Sequence, residues 1–265
     1  MKKIVYIGYS ERMLGFLMES NLFELSKVVY APNRVNEQFH SMINNSGLST
    51  FEVNSKQDIS ELISFIAEDE IAVMYKFEYI LPKDLVNSRR FINFHGGFLK
   101  TNRGAHATVR SILNMDKETA LSMYELTGGI DVGKLIAEHI VELDMNETPK
   151  ILNDKLQDGI PYLLEKLNLY LEGKIQPRLV ESGKYYPKVQ PEDFTIDPTN
   201  DSFDKAYAII RSQEGYGGAL VMVDNEAKPV LRWRIIDNYK TDINNETIHL
   251  FFFEDGTRIL EIEAD

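Results

Sequence analysis

The chain has 265 residues, which suits one large domain or two modest ones, and its hydrophobic content of 43% and charged content of 26% are those of an ordinary soluble globular protein. Its 41 Asp and Glu against 29 Lys and Arg give a formal net charge of −12, which argues against a large nucleic-acid partner because phosphate backbones are bound by basic surfaces. The absence of Cys excludes disulfides and thiolate metal sites.

The amino-terminal segment shows no targeting or membrane signal. Its first apolar run, Lys3–Tyr9, stops before Glu11 and is too short for the core of a signal peptide. No stretch approaches the roughly 20 apolar residues that a membrane-spanning helix needs. We therefore predict a cytoplasmic protein with neither a membrane nor a nucleic acid as its partner.

Short apolar runs alternate with longer amphipathic segments through the first hundred residues. Strands are predicted at Lys3–Tyr9, Lys27–Tyr30, Thr50–Val53, Ile71–Tyr75 and Arg90–His95. Helices are predicted between them at Glu11–Ser20, Val35–Asn44 and Ile59–Ala67. This alternation indicates right-handed crossovers, and it predicts an α/β fold with a doubly wound, Rossmann-like, mainly parallel sheet.

The middle of the chain continues with a helix, two strands and a long helical stretch. The helix is predicted at Gly104–Leu113, and the strands at Leu121–Leu126 and Leu135–Val141 bracket a Gly-Gly turn. The spacing of apolar residues over Glu147–Leu171 then predicts one long helical stretch, which Pro161 perturbs.

The composition changes near Tyr185, where prolines fall close together among Asp, Thr and Asn and predict a surface linker. A helix follows at Ser202–Arg211, with Ser202 as its N-cap. Four further strands are predicted at Ala219–Val223, Val230–Ile236, Thr247–Phe253 and Ile259–Ala264, the last two joined by an Asp255-Gly256 hairpin turn. We therefore predict a catalytic domain over residues 1–184 and a small antiparallel β subdomain, with its linker and helix, over residues 185–265.

Several common site signatures are missing from the sequence. Ile7-Gly8-Tyr9-Ser10, at the end of the first predicted strand, has one glycine where a dinucleotide-binding fingerprint has three. The five His residues are scattered and do not predict a metal site, and no Gly-x-Ser-x-Gly nucleophile turn is present. Classical NAD binding, metal catalysis and serine hydrolase chemistry are therefore disfavoured.

Polar residues suited to acyl transfer lie at the end of the strand predicted at Arg90–His95 and in the Gly-Gly turn further along the chain. Asn93 and His95 lie two apart at its end, so they project from the same side, at the edge where α/β sheets bind ligands. Asp131 lies in a glycine-rich turn and can hold His95 in one tautomer if the chain brings the two together. Asn93 can then donate an amide hydrogen to a developing oxyanion. Gly104, directly after Arg103, predicts a helix start whose amide groups face an anion.

The order and spacing of Asn93-Phe94-His95, Arg103-Gly104 and Ile130-Asp131-Val132-Gly133 resemble the formyltransferase family that uses N(10)-formyltetrahydrofolate. The likeness is strongest over residues 70–140. His95-Gly96-Gly97 stands where the family often has His-Pro-Ser, and this form is more similar to the nucleotide-sugar N-formyltransferases than to methionyl-tRNA formyltransferase.

The resemblance implies a role for each matching residue. Catalysis is expected from Asn93, His95 and Asp131. The pterin of N(10)-formyltetrahydrofolate is expected against Tyr75, Tyr79, Leu81, Gly128 and Ile130. Contacts to a nucleotide-linked amino sugar are expected from Lys76, Gly97, Arg103, Gly104, Arg211 and Tyr216. A homodimer and a role in polysaccharide biosynthesis are also implied by the family.

Three functions therefore stay open at this point. The first is N-formylation of a nucleotide-linked amino sugar, with the nucleotide, the sugar and the ring position all undetermined. The second is a methionyl-tRNA formyltransferase, which the net charge of −12 opposes. The third is a non-catalytic protein that binds folate or nucleotide sugar, against which the intact Asn93, His95 and Asp131 weigh.

Overall fold

A computed structural model describes residues 1–180, 182–237, 249–255 and 258–264. The chain divides into two compact units. The first unit comprises Met1–Gly104, Ala120–Val141 and Lys155–Tyr185, and the second comprises Ala105–Thr119, Glu142–Asp154 and Tyr186–Asp265. The second unit therefore contains two segments, 105–119 and 142–154, that precede the boundary predicted at residue 185.

A large sheet forms the centre of the first unit. The strands up to residue 186 are, in chain order, β1 (Lys2–Gly8), β2 (Phe23–Tyr30), β3 (Ser49–Glu52), β4 (Ile71–Tyr75), β5 (Arg90–His95), β6 (Arg103–Gly104), β7 (Glu118–Leu126), β8 (Gly133–Glu142), β9 (Arg178–Val180) and β10 (Tyr185–Tyr186). Eight of them form one sheet in the order β3-β2-β1-β4-β5-β7-β8-β9, and β6 pairs with β10 in a separate two-stranded ribbon.

The large sheet has a parallel part and an antiparallel part. Strands β1 to β5 are parallel to their neighbours, whereas β7 runs antiparallel to β5 and β9 runs antiparallel to β8. The central parallel strands β1 and β4 are nearly continuous apolar runs, as expected for strands covered on both faces, and every residue of β4 is buried. The predicted doubly wound, mainly parallel α/β sheet is confirmed.

The helices are α1 (Glu11–Met18), α2 (Glu37–Ser46), α3 (Leu62–Phe65), α4 (Lys83–Ser88), α5 (Ala107–Leu113), α6 (Pro149–Asp158), α7 (Ile160–Leu171) and α8 (Phe203–Ser212). Side-chain oxygens of Ser10, Asn36 and Ser202 accept backbone N–H groups at the starts of α1, α2 and α8, and the predicted Ser202 cap is confirmed.

Three helix predictions need correction. The helix predicted from Gly104 begins only at Ala107, because Gly104 is part of β6. The long stretch predicted as one helix is two, which meet at Gly159, and Pro161 lies in the first turn of the second. The helix predicted at Ile59–Ala67 shortens to α3, which follows a 3-10 turn over Asp58–Glu61.

The second unit packs α8 against a five-stranded sheet. Its strands are β11 (Thr195–Ile196), β12 (Leu220–Val223), β13 (Glu226–Asp237), β14 (His249–Glu254) and β15 (Arg258–Ala264), in the order β11-β12-β13-β15-β14. The β12–β13, β13–β15 and β14–β15 pairs are antiparallel, as predicted. Thr247 and Ile248 of one predicted strand, and Gly256 of the predicted hairpin turn, lie outside the described residues. One apolar cluster, which includes Phe203, Leu260 and Ile262, joins helix to sheet.

Candidate active site

The candidate site begins where the parallel strand β5 meets the antiparallel strand β7. Asn93 of β5 is paired with Tyr124 of β7, and His95 is paired with Ser122. In such an antiparallel pair the side chains of opposite residues lie next to each other. The hydroxyl of Tyr124 is therefore beside the amide of Asn93, and the amide Nδ2 donates a hydrogen bond of 2.7 Å to it.

Asp131 reaches the same place from the turn after β7. This turn needs left-handed backbone at three positions, with φ of +102° at Gly128, +91° at Gly129 and +50° at Asp131. Positive φ is free for glycine but costs a side-chain-bearing residue, and such strain is typical of functional sites. The turn directs the Asp131 carboxylate inward, where its side chain is 12% exposed.

The Asp131 carboxylate is held on both of its oxygens. Oδ1 accepts the hydroxyl of Tyr124 at 2.7 Å, and Oδ2 accepts the backbone N–H of Gly104 at 2.7 Å. Oδ2 also lies 3.6 Å from Nδ1 of His95. The structure thus brings Asn93, His95 and Asp131 into one connected cluster.

The other ring nitrogen of His95 determines its tautomer. Nε2 lies 2.7 Å from the backbone carbonyl of Asn102, and a carbonyl oxygen can only accept, so Nε2 carries the hydrogen. In the neutral ring the lone pair is then on Nδ1, which faces Asp131. His95 is 9% exposed, so this nitrogen sits in a largely desolvated place next to a carboxylate. This arrangement suits a group that accepts a proton and is then stabilised as an imidazolium.

Tyr124 is the member of the cluster that sequence analysis missed. It is fully buried, and its burial, followed by the negative charge of Asp131, raises the pKa of its hydroxyl well above the ordinary value. Tyr124 therefore stays protonated and donates its hydrogen to Asp131. No sequence motif marks this residue, because its place beside Asn93 depends on the register between β5 and β7.

Arg103 is buried and anchors the segment that follows His95. Its Nε donates to the carbonyl of Leu99 at 2.6 Å and its Nη2 to the carbonyl of Val180 at 2.8 Å. Gly183 passes so close that a side chain there would overlap the Leu99 carbonyl and the Arg103 guanidinium. The Arg103 guanidinium, predicted as a substrate contact, is thus occupied by backbone carbonyls, and the Gly104 N–H is occupied by Asp131.

The residues expected to contact folate lie at the carboxyl ends of β4 and β7. Tyr75 is buried, whereas Tyr79 and Leu81 are half-buried against the apolar cluster of the parallel strands. Ile130 is 40% exposed, and a methyl group added at Gly128 would meet nothing within 4 Å. The 128–131 turn thus offers an accessible apolar side chain and open space over its backbone.

The residues expected to contact the sugar nucleotide are divided between the two units. In the first, Lys76 has a left-handed φ of +55° with Nζ 5.5 Å from the centre of the Tyr75 ring, and the carbonyl of Gly97 accepts the Ser122 hydroxyl. In the second, Tyr216 is 53% exposed, whereas Arg211 is buried.

Arg211 has structural partners within its own unit. Its guanidinium donates to the carbonyl of Glu147 at 2.9 Å and lies 4.7 Å from the centre of the Tyr207 ring. Its burial lowers the pKa of the guanidinium from its ordinary value. The structure therefore describes Arg211 as a support for α8, and its expected substrate contact stays a prediction.

A second polar group at the same sheet edge was not anticipated from the sequence. Arg34, which follows β2, lies over the ring of Tyr9 at 4.9 Å and 3.6 Å from the carboxylate of Glu78. Arg34 and Glu78 are both partly exposed. Among the described residues no group of three or more His, Cys, Asp or Glu side chains is arranged to hold a metal ion, and no described helix is long and apolar enough to cross a membrane.

Comparison with known proteins gives one family and two groups of relatives. The formyl transferase family model matches residues 31–165, which are just over half of the chain. The chain is 23% identical over 262 residues to the methionyl-tRNA formyltransferase of Lactococcus lactis subsp. cremoris (strain SK11), an alignment that covers 92% of this chain and 81% of that enzyme.

Solved structures with a similar fold cover nearly the whole chain. One is WlaRD, a sugar 3N-formyl transferase solved in the presence of dTDP and 5-N-formyl-THF, with a TM-score of 0.71, 16% identity and coverage of 99% of this chain and 98% of that one. Another is the N-formyltransferase from Helicobacter canadensis in complex with folinic acid and dTDP-3-aminofucose, with a TM-score of 0.69, 14% identity and coverage of 99% and 100%. At these identities the similarity is one of fold.

Proposed function

Since this chain belongs to the formyl transferase family, we propose that it transfers a formyl group from N(10)-formyltetrahydrofolate to the amine of a nucleotide-linked amino-deoxy sugar. The observation that carries the proposal is the connected cluster of Asn93, His95 and Asp131 at the end of β5. This cluster offers an oxyanion donor and a proton acceptor, and acyl transfer to an amine needs both.

His95 is the general base of the proposed reaction. As the neutral sugar amine forms its bond to the formyl carbon, Nδ1 of His95 takes the proton that the amine nitrogen loses, and Nε2 keeps the hydrogen given to Asn102. Asp131, 3.6 Å away, stabilises the resulting imidazolium. His95 then returns this proton to the folate nitrogen as its bond to the formyl carbon breaks, so the ring ends neutral.

Asn93 stabilises the formyl oxygen while that oxygen carries negative charge. One hydrogen of its Nδ2 is donated to Tyr124, and the second is directed away from that bond. Asn93 is partly exposed, so this hydrogen is accessible to a bound substrate. A donor that is already oriented before the reaction stabilises charge that develops in the transition state.

The surface around the site fits a formyl folate as co-substrate. N(10)-formyltetrahydrofolate supplies the activated formyl carbon when it is bound. Tyr79, Leu81 and Ile130 would contact its pterin through apolar surface, and the open backbone of the 128–131 turn leaves room for the ring. The two solved structures of similar fold contain 5-N-formyl-THF or folinic acid, which supports the same choice.

Charge supports a sugar nucleotide over a tRNA as the acceptor. Over residues 186–265 the sequence has 8 Lys and Arg against 16 Asp and Glu, so most of the excess negative charge lies in this part of the chain. Binding of tRNA depends on basic side chains that neutralise phosphates. The full-length similarity to two sugar N-formyltransferases supports the same acceptor class.

The second candidate is a methionyl-tRNA formyltransferase, which the sequence relatives favour. It predicts the same chemistry at Asn93, His95 and Asp131 with a different amine. A binding protein without catalysis is the third alternative. These candidates differ in what the purified chain formylates.

The test is incubation of the purified protein with N(10)-formyltetrahydrofolate and dTDP-, UDP- and GDP-linked amino sugars, scored by mass spectrometry. A parallel reaction contains initiator methionyl-tRNA, and Asn93→Ala controls for uncatalysed formylation. We expect one sugar nucleotide to gain one formyl group. Formylation of the tRNA alone would favour the second candidate, and folate binding without transfer to any acceptor would favour the third.

A further inference from the structure

Tyr124 is connected to both functional halves of the candidate site. Its hydroxyl oxygen lies 2.7 Å from Nδ2 of Asn93 and 2.7 Å from Oδ1 of Asp131. Asn93 is the expected oxyanion donor, and Asp131 is the expected partner of the His95 imidazolium.

The chemistry of the three groups fixes the direction of both bonds. A carboxylate accepts hydrogen bonds and cannot donate them, so the single hydrogen of the Tyr124 hydroxyl belongs to Asp131. The Tyr124 oxygen must then accept from its second neighbour, and only the Nδ2 end of Asn93 can donate. If the amide were flipped, its oxygen would face another oxygen without a hydrogen between them.

The orientation of the Asn93 amide therefore depends on the charge of Asp131. The Asp131 carboxylate accepts the hydrogen bond from the Tyr124 hydroxyl. The Tyr124 oxygen in turn accepts a hydrogen bond from the Asn93 amide, which fixes that amide with Nδ2 toward Tyr124. Full burial of Tyr124 removes water as a competing partner, so the two bonds determine each other. The same bond to Tyr124 holds Oδ1, while Gly104 holds Oδ2, and together they fix the carboxylate beside His95.

We propose that Tyr124 is a positioning residue for formyl transfer, which orients the amide of Asn93 toward the formyl oxygen and holds Asp131 beside His95. This proposal rests on the proposed function. Tyr124 itself touches neither the formyl group nor the amine, and it acts through the two residues that it joins.

The chain offers a matched control in Tyr30. This tyrosine is also buried, with 3% of its surface exposed, and it also donates to a carboxylate, Glu52, at 2.8 Å on a neighbouring strand. Its pKa is raised to about 12 by burial and then by its hydrogen bond to Glu52. The Tyr30 ring lies against Phe39 and His40, which belong to the scaffold, so Tyr30→Phe removes an equivalent hydroxyl there.

The first measurement compares the steady-state kinetics of Tyr124→Phe and Tyr30→Phe. We expect Tyr124→Phe to lower kcat by roughly 10- to 100-fold, because small misplacements of catalytic groups cost rates of this order. KM for the sugar nucleotide and the folate should change by less than about threefold, since the lost interaction acts on the transition state. Tyr30→Phe should leave kcat within about twofold, although both variants lose thermal stability.

A double variant separates positioning from a general structural defect. If Tyr124 acts through Asn93, adding Tyr124→Phe to Asn93→Ala reduces kcat by clearly less than Tyr124→Phe does alone. A purely structural defect gives losses that multiply. A kcat of Tyr124→Phe within twofold of the wild type would overturn the proposal while formyl transfer itself stands.

A readout without substrates keeps the proposal testable even if no sugar is formylated. In protein labelled with ¹⁵N-asparagine, the Asn93 side-chain signals are assigned by their loss in Asn93→Ala. We expect slow solvent exchange for one of the two Asn93 amide hydrogens in the wild type and in Tyr30→Phe, and fast exchange in Tyr124→Phe. Unchanged Asn93 signals in Tyr124→Phe would overturn the positioning role, whichever acceptor the enzyme uses.

Discussion

The parallel half of the large sheet and its junction with the antiparallel strands are built on different principles. In β1 and β4 the central residues are all buried and almost entirely apolar, and polar groups appear only where the strands end. In β7 the buried positions include Ser122 and Tyr124, whose hydroxyls bond to Gly97 and Asp131. The parallel half is held by apolar burial, whereas the junction is held by a connected set of hydrogen bonds.

This difference explains why the site lies at the junction. The carboxyl ends of parallel strands lie at one edge of the sheet, which places Asn93 and His95 there, but the parallel neighbour of Asn93 is the apolar Met74 of β4. An antiparallel neighbour puts a polar residue directly opposite Asn93 within the sheet. We therefore expect changes at the junction to reduce turnover and changes in the parallel half to reduce stability, and the predictions below test that separation.

The largest effect is expected for the two residues at the end of β5. Asn93→Ala removes the oxyanion donor and His95→Asn removes the proton acceptor. Each should lower kcat by about 10²–10³-fold or more, as the loss of one oxyanion-hole donor does in other enzymes. The measurement is formyl transfer at saturating substrates, with circular dichroism and a melting curve to show that each variant is folded.

Near-wild-type turnover of either variant would contradict both the mechanism and the assignment of the site to the junction. Phe94→Leu is a suitable control, because Phe94 lies between the two residues, is buried and faces the other side of the sheet. Phe94→Leu should lower the melting temperature and leave kcat unchanged.

A smaller effect on kcat is expected for Arg103, which holds the segment between His95 and Gly104 in place. Arg103→Lys replaces the planar fork, whose Nε and Nη2 bond separately to the carbonyls of Leu99 and Val180, by one ammonium nitrogen that does not reproduce this geometry. The neighbouring carbonyl of Asn102 and N–H of Gly104 should then be less well placed against His95 and Asp131. We expect kcat to fall about tenfold with little change in KM.

Arg89 provides the matched control for Arg103. Its guanidinium also donates to backbone carbonyls, those of Ile66, Ile63 and Ser88, but it lies before β5 and supports α3 and α4. Arg89→Lys should lower the melting temperature without changing kcat. A higher KM for the sugar nucleotide in Arg103→Lys, with kcat unchanged, would instead support the substrate contact that the sequence predicted.

The same difference between regions decides what could be predicted from the sequence. Strands β4 and β5 were predicted with the observed bounds because buried parallel strands are short apolar runs. Asn93, His95 and Asp131 could be singled out because they stand at strand ends and in a glycine turn, where polar residues are conspicuous. The sequence left the proximity of His95 and Asp131 conditional on the fold, and the structure brings Asn93, His95 and Asp131 into one cluster.

The remaining site contacts depend on register and on the backbone, which a sequence does not display. In the sequence Tyr124 is an ordinary strand residue, and only the register between β7 and β5 shows that it lies beside Asn93. The partner of His95 Nε2 is the carbonyl of Asn102, a group that every residue has. The partners of the buried Arg103 guanidinium are also backbone carbonyls, those of Leu99 and Val180, and no motif in the sequence marks them.

The smallest effect on turnover is expected for Glu70, a buried charge at the opposite end of the parallel half. It accepts hydrogen bonds from Lys27, Ser26 and the backbone of Ala67. Burial alone would raise the pKa of Glu70, but these donors outweigh it and hold the pKa below its ordinary value. Because the folded-state pKa is depressed, the stabilisation is complete above that ordinary value and is lost as the pH falls through the folded one.

Glu70→Gln should therefore lower the free energy of unfolding by about 2 kcal/mol at neutral pH, the usual value of hydrogen bonds to a charged group. In urea unfolding curves recorded from about pH 7 down to about pH 3, the wild type and the variant should converge at the acidic end. The kcat per folded molecule should stay within about twofold, because the groups that donate to Glu70, on Lys27, Ser26 and Ala67, belong to the scaffold. A large loss of turnover in a folded Glu70→Gln would show that the parallel half does more than support the junction.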